Sequence, residues 1–450
     1  MIIKGLFKTT NDMFSNDIFG DIFSDDTSDG QHTIEPESLA EIHKAVYTFL
    51  GEQSWSGCVG DDGMTITRDF ATVFVTSDIH TDLLKFIQML LSAGIVKCDD
   101  FEINTTNDVY KHVWRIEWAA DNTLLVITGD LVDGRRASGG QVTDPQGSYE
   151  MLLHILLFNL RISARQKDSD LLFTIGNHDF RSVLLPDHTK EWRTYTSEEH
   201  LKFAPSTSDR YKKPMDRRAD MLAPFYLCSP YLMLRLGSAL FTHGGFMQEL
   251  GKGDCVYRLA LHAQGEINAV MKRGSESCLG GVRDALRRYK EVLREKDCVN
   301  ITDARGYVRN LQEDVCKDAA TTSLKDMGVE LVVVGHCVTH YNDFLTKEPE
   351  CKSEIIDGTR DSKVGCVAEY ECEDGPRIVL VDVGLSECFR GKSHDKEANA
   401  NRQTEMLKMK LGHKSNGHVA KRAVPAMDKN MWYVLSIYRT TKPRAFSSHV

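Results

Sequence analysis

From about residue 70 onward the hydrophobic positions follow two rhythms. Short runs that are apolar at nearly every position, "TVFVTS", "TLLVITG", "LLFTIG", "YLMLRLG", "ALFTHG", "LVVVG", "RIVLVDVG" and a late "WYVLSIY", read as strands, since β-branched and aromatic side chains suit a pleated surface covered by other elements. Between several of them lie longer stretches with helical spacing of apolar residues, "DLLKFIQMLLSAG", "GSYEMLLHILLFNLRISARQ", "CVYRLALHAQGEINAVMKRG" and "VRDALRRYKEVLREK". Buried strands separated by crossover helices predict a mixed α/β sheet covered on both sides. Upstream, "SLAEIHKAVYTFL" offers Ser38 as an N-cap ahead of one more packed helix.

The polar stretches set the expected boundaries. Residues 1–38 form an acidic N-terminal segment, with eight acids and no Lys or Arg between 11 and 38; too little apolar surface is present to offset the entropy of ordering, so disorder is expected, with a partner-binding role open to it. Residues 39–442 read as a single domain with long insertions, among them a polar excursion at about 391–424, and 443–450 as a tail.

Composition narrows the classes. The 450 residues, 41% hydrophobic with a formal net charge of −10, can bury a large core and do not suit a general nucleic-acid or anionic-membrane binder. No apolar run has the length of a membrane span, and the N-terminus lacks a signal-peptide core. Twelve cysteines without CxxC spacing read as separate reduced thiols, hence an expected cytoplasmic location.

The chemistry gathers where the apolar runs stop. "ATVFVTSDIH" ends on Asp78 and His80, "LLVITGDLVD" on Asp130 and Asp133, "LLFTIGNHD" on Asn177, His178 and Asp179, "ALFTHGG" on His243, and "LVVVGH" on His336. A single acid after a strand is usually a turn former or a helix cap, and a single histidine a structural group. Five tips bearing hard oxygen or imidazole groups are another matter, because ligand sites in α/β sheets collect beyond the carboxyl ends of strands. A metal site is the chemistry such a set serves.

The order Asp78-Ile79-His80, Gly129-Asp130-Leu131-Val132-Asp133, Gly176-Asn177-His178-Asp179, His243-Gly244-Gly245 and Gly335-His336 resembles the calcineurin-like metallophosphoesterases. Among these it is most similar to the serine/threonine phosphoprotein phosphatases, including their Shewanella-like relatives. The resemblance implies a four-layered α/β/β/α sandwich of two mixed sheets flanked by helices. It implies that Asp78, His80 and Asp130 hold one divalent ion and that Asp130, Asn177, His243 and His336 hold a second, a shared carboxylate keeping such ions about 3.5–4 Å apart. Nitrogen and oxygen ligands suit manganese, iron or zinc. His178 then takes the family's role of general acid toward the leaving oxygen, supported by Asp133, whose carboxylate is expected to raise the imidazole's pKa.

Departures from the family pattern are local. The arginine that normally follows GDxVD and grips phosphate is displaced, leaving Arg135 and Arg136 as substrate-binding candidates. The acid after GNH is Asp rather than Glu, and GHxH is reduced to Gly335-His336-Cys337-Val338, with His340 set too late for a ligand. "DRYKKPMDRRAD" places Arg210, Lys212, Lys213, Arg217 and Arg218 in an insertion that reads as a solvated, mixed-charge loop, with steering of an anionic substrate as the second option.

The reaction expected is hydrolysis of phosphate monoesters by direct attack of a metal-bridging hydroxide, on phosphorylated protein. The alternatives are a nucleotide, diadenosine polyphosphate or other small phosphate ester as substrate, and a binding protein that has lost turnover.

Overall fold

The computed structural model describes residues 64–99, 102–103, 108–109, 112–134, 149–187, 214–246, 253–273, 278–305, 307, 312–317, 319–336, 367–373, 375–382, 405–413, 423–427 and 431–439. The acidic segment, its following helix, Arg135, Arg136, Cys337, His340 and the C-terminal tail lie outside the described residues.

Two mixed sheets form the centre. The first contains β1 (Thr72–Thr76), β4 (Thr123–Ile127) and β5 (Asp170–Phe173) in parallel, extended past β1 by antiparallel β11 (Glu405–His413), β13 (Met431–Arg439) and β12 (Ala423–Pro425), in the order β12-β13-β11-β1-β4-β5. The second, β6-β7-β8-β10-β9, is built from β6 (Met233–Leu236), β7 (Ala239–Thr242), β8 (Leu331–Val334), β9 (Ala368–Tyr370) and β10 (Arg377–Leu380), with β7, β8 and β10 parallel. A small ribbon pairs β2 (Val96–Lys97) with β3 (Glu117–Trp118).

Period-two alternation explains how the layers stack. Along β1, Val73 and Val75 enter a cluster with Leu124, Val126, Phe241, Val333 and Val379, drawn from both sheets. Phe74 points the other way, into a cluster with Leu83, Phe86, Leu125 and Leu156 on the helix side. A strand buried on both faces therefore has no polar side to show, which is why the sequence runs are continuously apolar. Helices α1 (Leu83–Ser92), α2 (Tyr149–Arg165) and α3 (Pro214–Leu222) accompany the first sheet's connections, and α4 (Gly253–Arg273), α5 (Cys278–Glu295), α6 (Gln312–Lys317) and α7 (Ala319–Asp326) lie between β7 and β8 in the chain.

Two expectations change. Residues 405–413, inside the expected polar excursion, are the nine-residue strand β11, paired on one side with β1 and on the other with β13. Four of the cysteines expected as separate thiols are paired instead, Cys255 with Cys298 (Cα–Cα 6.5 Å) and Cys316 with Cys372 (5.1 Å), separations that a disulfide spans. Cys98, Cys228 and Cys278 carry thiols outside any disulfide.

Candidate metal centre

The carboxyl ends of β1, β4, β5, β7 and β8 meet where the two sheets approach each other. Backbone hydrogen bonds join the tips: Asp78 N–H donates to Gly129 O (3.1 Å), His80 N–H to Asp130 O (3.0 Å), and Gly335 N–H to His243 O (2.8 Å). Glycine is required at these crossings. A Cβ on Gly176 would lie 2.1 Å from Asp130 Oδ1, and one on Gly335 would lie 1.8 Å from Ser77 Oγ.

The tips are also where backbone strain concentrates. Asp78 (φ 52°), His80 (43°), Thr81 (59°), Asp130 (55°), Asp133 (68°) and His336 (70°) all occupy the left-handed region, at a cost of roughly 1–3 kcal/mol each for side chains with a Cβ. Asp82, rather than Asp78, caps α1 by accepting from Lys85 N–H at 3.3 Å. Asp78 is thereby released from the capping role its position suggests.

The histidines present lone pairs inward. A carbonyl can only accept, so the His80 Nδ1–H donates to Val132 O (2.9 Å) and the His243 Nδ1–H to Thr128 O (2.6 Å), which leaves both Nε2 atoms unprotonated in the neutral ring. Asp130 Oδ2 stands between them, 3.4 Å from His80 Nε2 and 3.3 Å from His243 Nε2, while Asp130 Oδ1 accepts from His178 N–H (2.9 Å). Around His243 Nε2 also lie Asn177 Oδ1 at 3.0 Å and His336 Nδ1 at 3.1 Å. Asp78 Oδ2 accepts from His336 N–H (2.9 Å) and from Ser77 Oγ–H; its Oδ1, 3.7 Å from His80 Nε2, is buried with no hydrogen-bond partner among the described residues.

Converging acceptors need a cation. Burial alone would lower the His243 pKa, but the charges of Asp130 and Asp78 raise it to about 10. Burial pushes the Asp130 carboxyl up, and the His243, His178 and His80 imidazoles outweigh that and hold it well below the carboxylate range. Two sets of donor atoms have the closeness a metal ion requires, His80 with Asp130 and His178, and Asp130 with His243 and His336. The residues thus fit divalent ions.

His178 departs from expectation in one respect. Its Nδ1–H donates to Asp133 Oδ2 (2.8 Å), yet burial outweighs the Asp130 and Asp133 charges and lowers its pKa rather than raising it. Its ring stands edge-on to that of His80, centroids 4.9 Å apart.

Several supporting roles escaped sequence reading. Asp179 clamps the backbone: its Oδ2 accepts from Asp130 N–H (2.9 Å) and Gly176 N–H (2.8 Å), and its Oδ1 from Leu131 N–H (3.0 Å) and the Tyr226 hydroxyl (2.6 Å). Burial and the Asp130 charge push the Asp179 carboxyl up to about 6. Arg305, exposed at the rim, donates its Nε–H to His336 Nε2 at 2.9 Å. Glu150, Ser182 and Arg218 surround Asp133. Arg218 is buried on α3 and is no part of a solvated loop, contrary to its setting among charged neighbours. The sequence marked Asp179 as a strand-tip acid and Arg218 as an insertion charge without these roles; nothing local marked Glu150, Ser182, Tyr226 or Arg305.

The two-sheet α/β scaffold sets hard oxygen and nitrogen donors at five strand tips, and the chain is a metal-dependent phosphoesterase, a hydrolase. Residues 71–339 match the family described as calcineurin-like phosphoesterase, and the chain belongs to that family. Divalent metal ions are accordingly implied for it. No curated protein sequence matches the chain. Among solved structures it is similar to a cold-active protein-tyrosine phosphatase of a psychrophilic Shewanella species (17% identity, 85% of this chain and 83% of that chain, TM-score 0.43). Another is a protein serine/threonine phosphatase from Saccharomyces cerevisiae with similarity to human phosphatase PP5 (11% identity, 96% and 97%, TM-score 0.38). No helix among the described residues is long and apolar enough to cross a membrane.

Proposed function

We propose that this chain is a two-metal phosphomonoesterase acting on phosphorylated protein. One observation carries the reading: Asp130 Oδ2 lies between two inward-facing imidazole nitrogens, with the unpartnered Asp78 Oδ1 on one side and Asn177 Oδ1 on the other. Asp78, His80 and Asp130 would hold one ion, and Asp130, Asn177, His243 and His336 the other. Two divalent ions held there would lower the pKa of a water and offset charge on the phosphoryl oxygens.

The chain's own groups do the rest. Val132 O and Thr128 O hold the Nδ1 sides of His80 and His243, so neither ring needs to turn to present Nε2 to an ion, and His243, whose pKa is raised to about 10, gives up its Nε2 proton on binding. Asp133 fixes His178 through Nδ1, directing the opposite ring nitrogen to the leaving-group oxygen as a general acid. Arg305 stands at the rim beside His336, with a guanidinium suited to bidentate contact with phosphate.

The test is manganese-dependent turnover and metal content of the wild-type, Asp130→Asn and His178→Ala proteins. Asp130→Asn is expected to lower bound manganese and to reduce turnover more than ~100-fold, since it removes the shared oxygen. His178→Ala is expected to keep the metal and to lose activity chiefly on poor leaving groups. A panel of phosphoserine, phosphothreonine and phosphotyrosine peptides against nucleotides and diadenosine polyphosphates assigns the substrate. Faster turnover of the nucleotides overturns the protein-phosphatase reading, and a metal-loaded wild type inert on the whole panel overturns the enzyme reading.

A further inference from the structure

The charged stretch that contains Arg217 and Arg218 has so far supplied only a neighbour of Asp133. Arg218 nevertheless lies 3% exposed between two buried carboxylates. Its Nη2–H groups reach Asp133 Oδ1 (2.6 Å) and Glu150 Oε1 (2.5 Å), and its Nε–H reaches Glu150 Oε2 (2.7 Å). Glu150 is tied to Asp133 a second way, because its Oε1 accepts the Asp133 N–H at 2.9 Å and so holds a backbone at φ 68°.

The consequence for His178 follows from the geometry of a carboxylate. Asp133 has two oxygens in one plane: Oδ2 accepts from His178 Nδ1–H (2.8 Å) and the Ser182 hydroxyl (2.6 Å), and Oδ1 accepts from Arg218. With Oδ1 held by a planar fork whose other prong is locked on Glu150, the carboxylate cannot rotate without breaking a charge-assisted bond. Without the guanidinium, two buried carboxylates would face each other uncompensated, and one would take up a proton or turn away. At Asp133 either change weakens or displaces the acceptor that fixes the imidazole, and at Glu150 it unlocks the carboxylate that holds Asp133 in place. A lysine in its place would keep the charge but could not bridge both acids in one plane.

We propose that Arg218, locked by Glu150, is a positioning residue for His178: it clamps the Asp133 carboxylate so that the imidazole keeps its Nδ1–H toward Asp133 and its other nitrogen toward the leaving-group oxygen. The proposal rests on the reading of His178 as general acid.

The test compares wild type, Arg218→Met, Arg218→Lys, His178→Ala and the Arg218→Met/His178→Ala double variant, each confirmed folded by circular dichroism. Manganese-loaded proteins are assayed on 4-nitrophenyl phosphate, a good leaving group, and phenyl phosphate, a poor one. Arg218→Met is expected to lose ~10- to 100-fold in kcat on phenyl phosphate, far less on 4-nitrophenyl phosphate, with KM little changed. The double variant is expected to be no worse than His178→Ala. A second readout needs no metal: the downfield proton resonance of the His178 Nδ1–H, identified by its absence in His178→Ala, is expected to be lost or shifted in Arg218→Met.

A folded Arg218→Met that keeps this resonance, or that loses equally on both esters while His178→Ala discriminates between them, overturns the proposal. If Arg218→Met does not fold, Arg218→Lys is judged by the same criteria. If His178→Ala itself shows no leaving-group dependence, the general-acid reading falls, and the resonance alone decides the placement of Arg218.

Discussion

His154 illustrates how a residue's surroundings decide its chemistry. Its Nδ1–H donates to Glu150 O (2.6 Å), while Nε2 is buried without a partner among rings that include Phe225 and Tyr226. Burial lowers its pKa to about 4, against about 6.5 in an unfolded chain. The unfolded chain therefore binds a proton below about pH 6.5 that the folded protein refuses until about pH 4. Stability is fully present above the upper value and falls through that window by about 3 kcal/mol. His154→Leu is expected to flatten the loss; urea titrations at pH 7 and pH 4.5 measure it, and equal losses in both proteins would disprove the assignment. The candidate ligands were legible in the sequence because hard nitrogen and oxygen groups stand out at the ends of apolar runs. Arg218 and Glu150 were not, since their meaning lies in pairing across 68 residues of chain, and no local pattern records that.

At the scale of elements, β1, β4, β5, β7 and β8 were readable because burial on both faces leaves no polar position. Strand β11 shows where that signal fails. Met406, Leu407 and Met409 are buried, but on the face of Met406 stand Lys408, half-buried with its Nζ over the Phe74 ring, and exposed Lys410, so lysines interrupt the apolar run and it blends with the polar stretches around it. The position is nonetheless structural: Leu407 pairs with Val75 of β1 and packs between the sheets. Leu407→Ala is expected to cost about 2–5 kcal/mol. Its urea midpoint should fall with the denaturant slope unchanged, whereas an unaltered midpoint would mean that β11 contributes little to the sheet.

Across the whole molecule, the first sheet is closed by chain that arrives late. Thr72 of β1 lies opposite Lys410 of β11, and the edge beyond β11 is completed only by residues up to Arg439. A polypeptide ending at residue 404 is expected to be insoluble or unfolded, because it bares the hydrogen-bonding edge of β1; size-exclusion chromatography of that truncation checks it, and a monodisperse product would refute it. The same connectivity orders events during synthesis. Every group at the candidate metal centre except the support of β11 has been translated by Gly335 and His336, yet the strand that leads to Asp78 keeps one flank open until roughly seventy more residues have emerged, a matter of about 4–14 s at ordinary elongation rates. A nascent chain of this kind spends that interval with its catalytic ingredients made and its frame unfinished, the period in which a chaperone has most to protect.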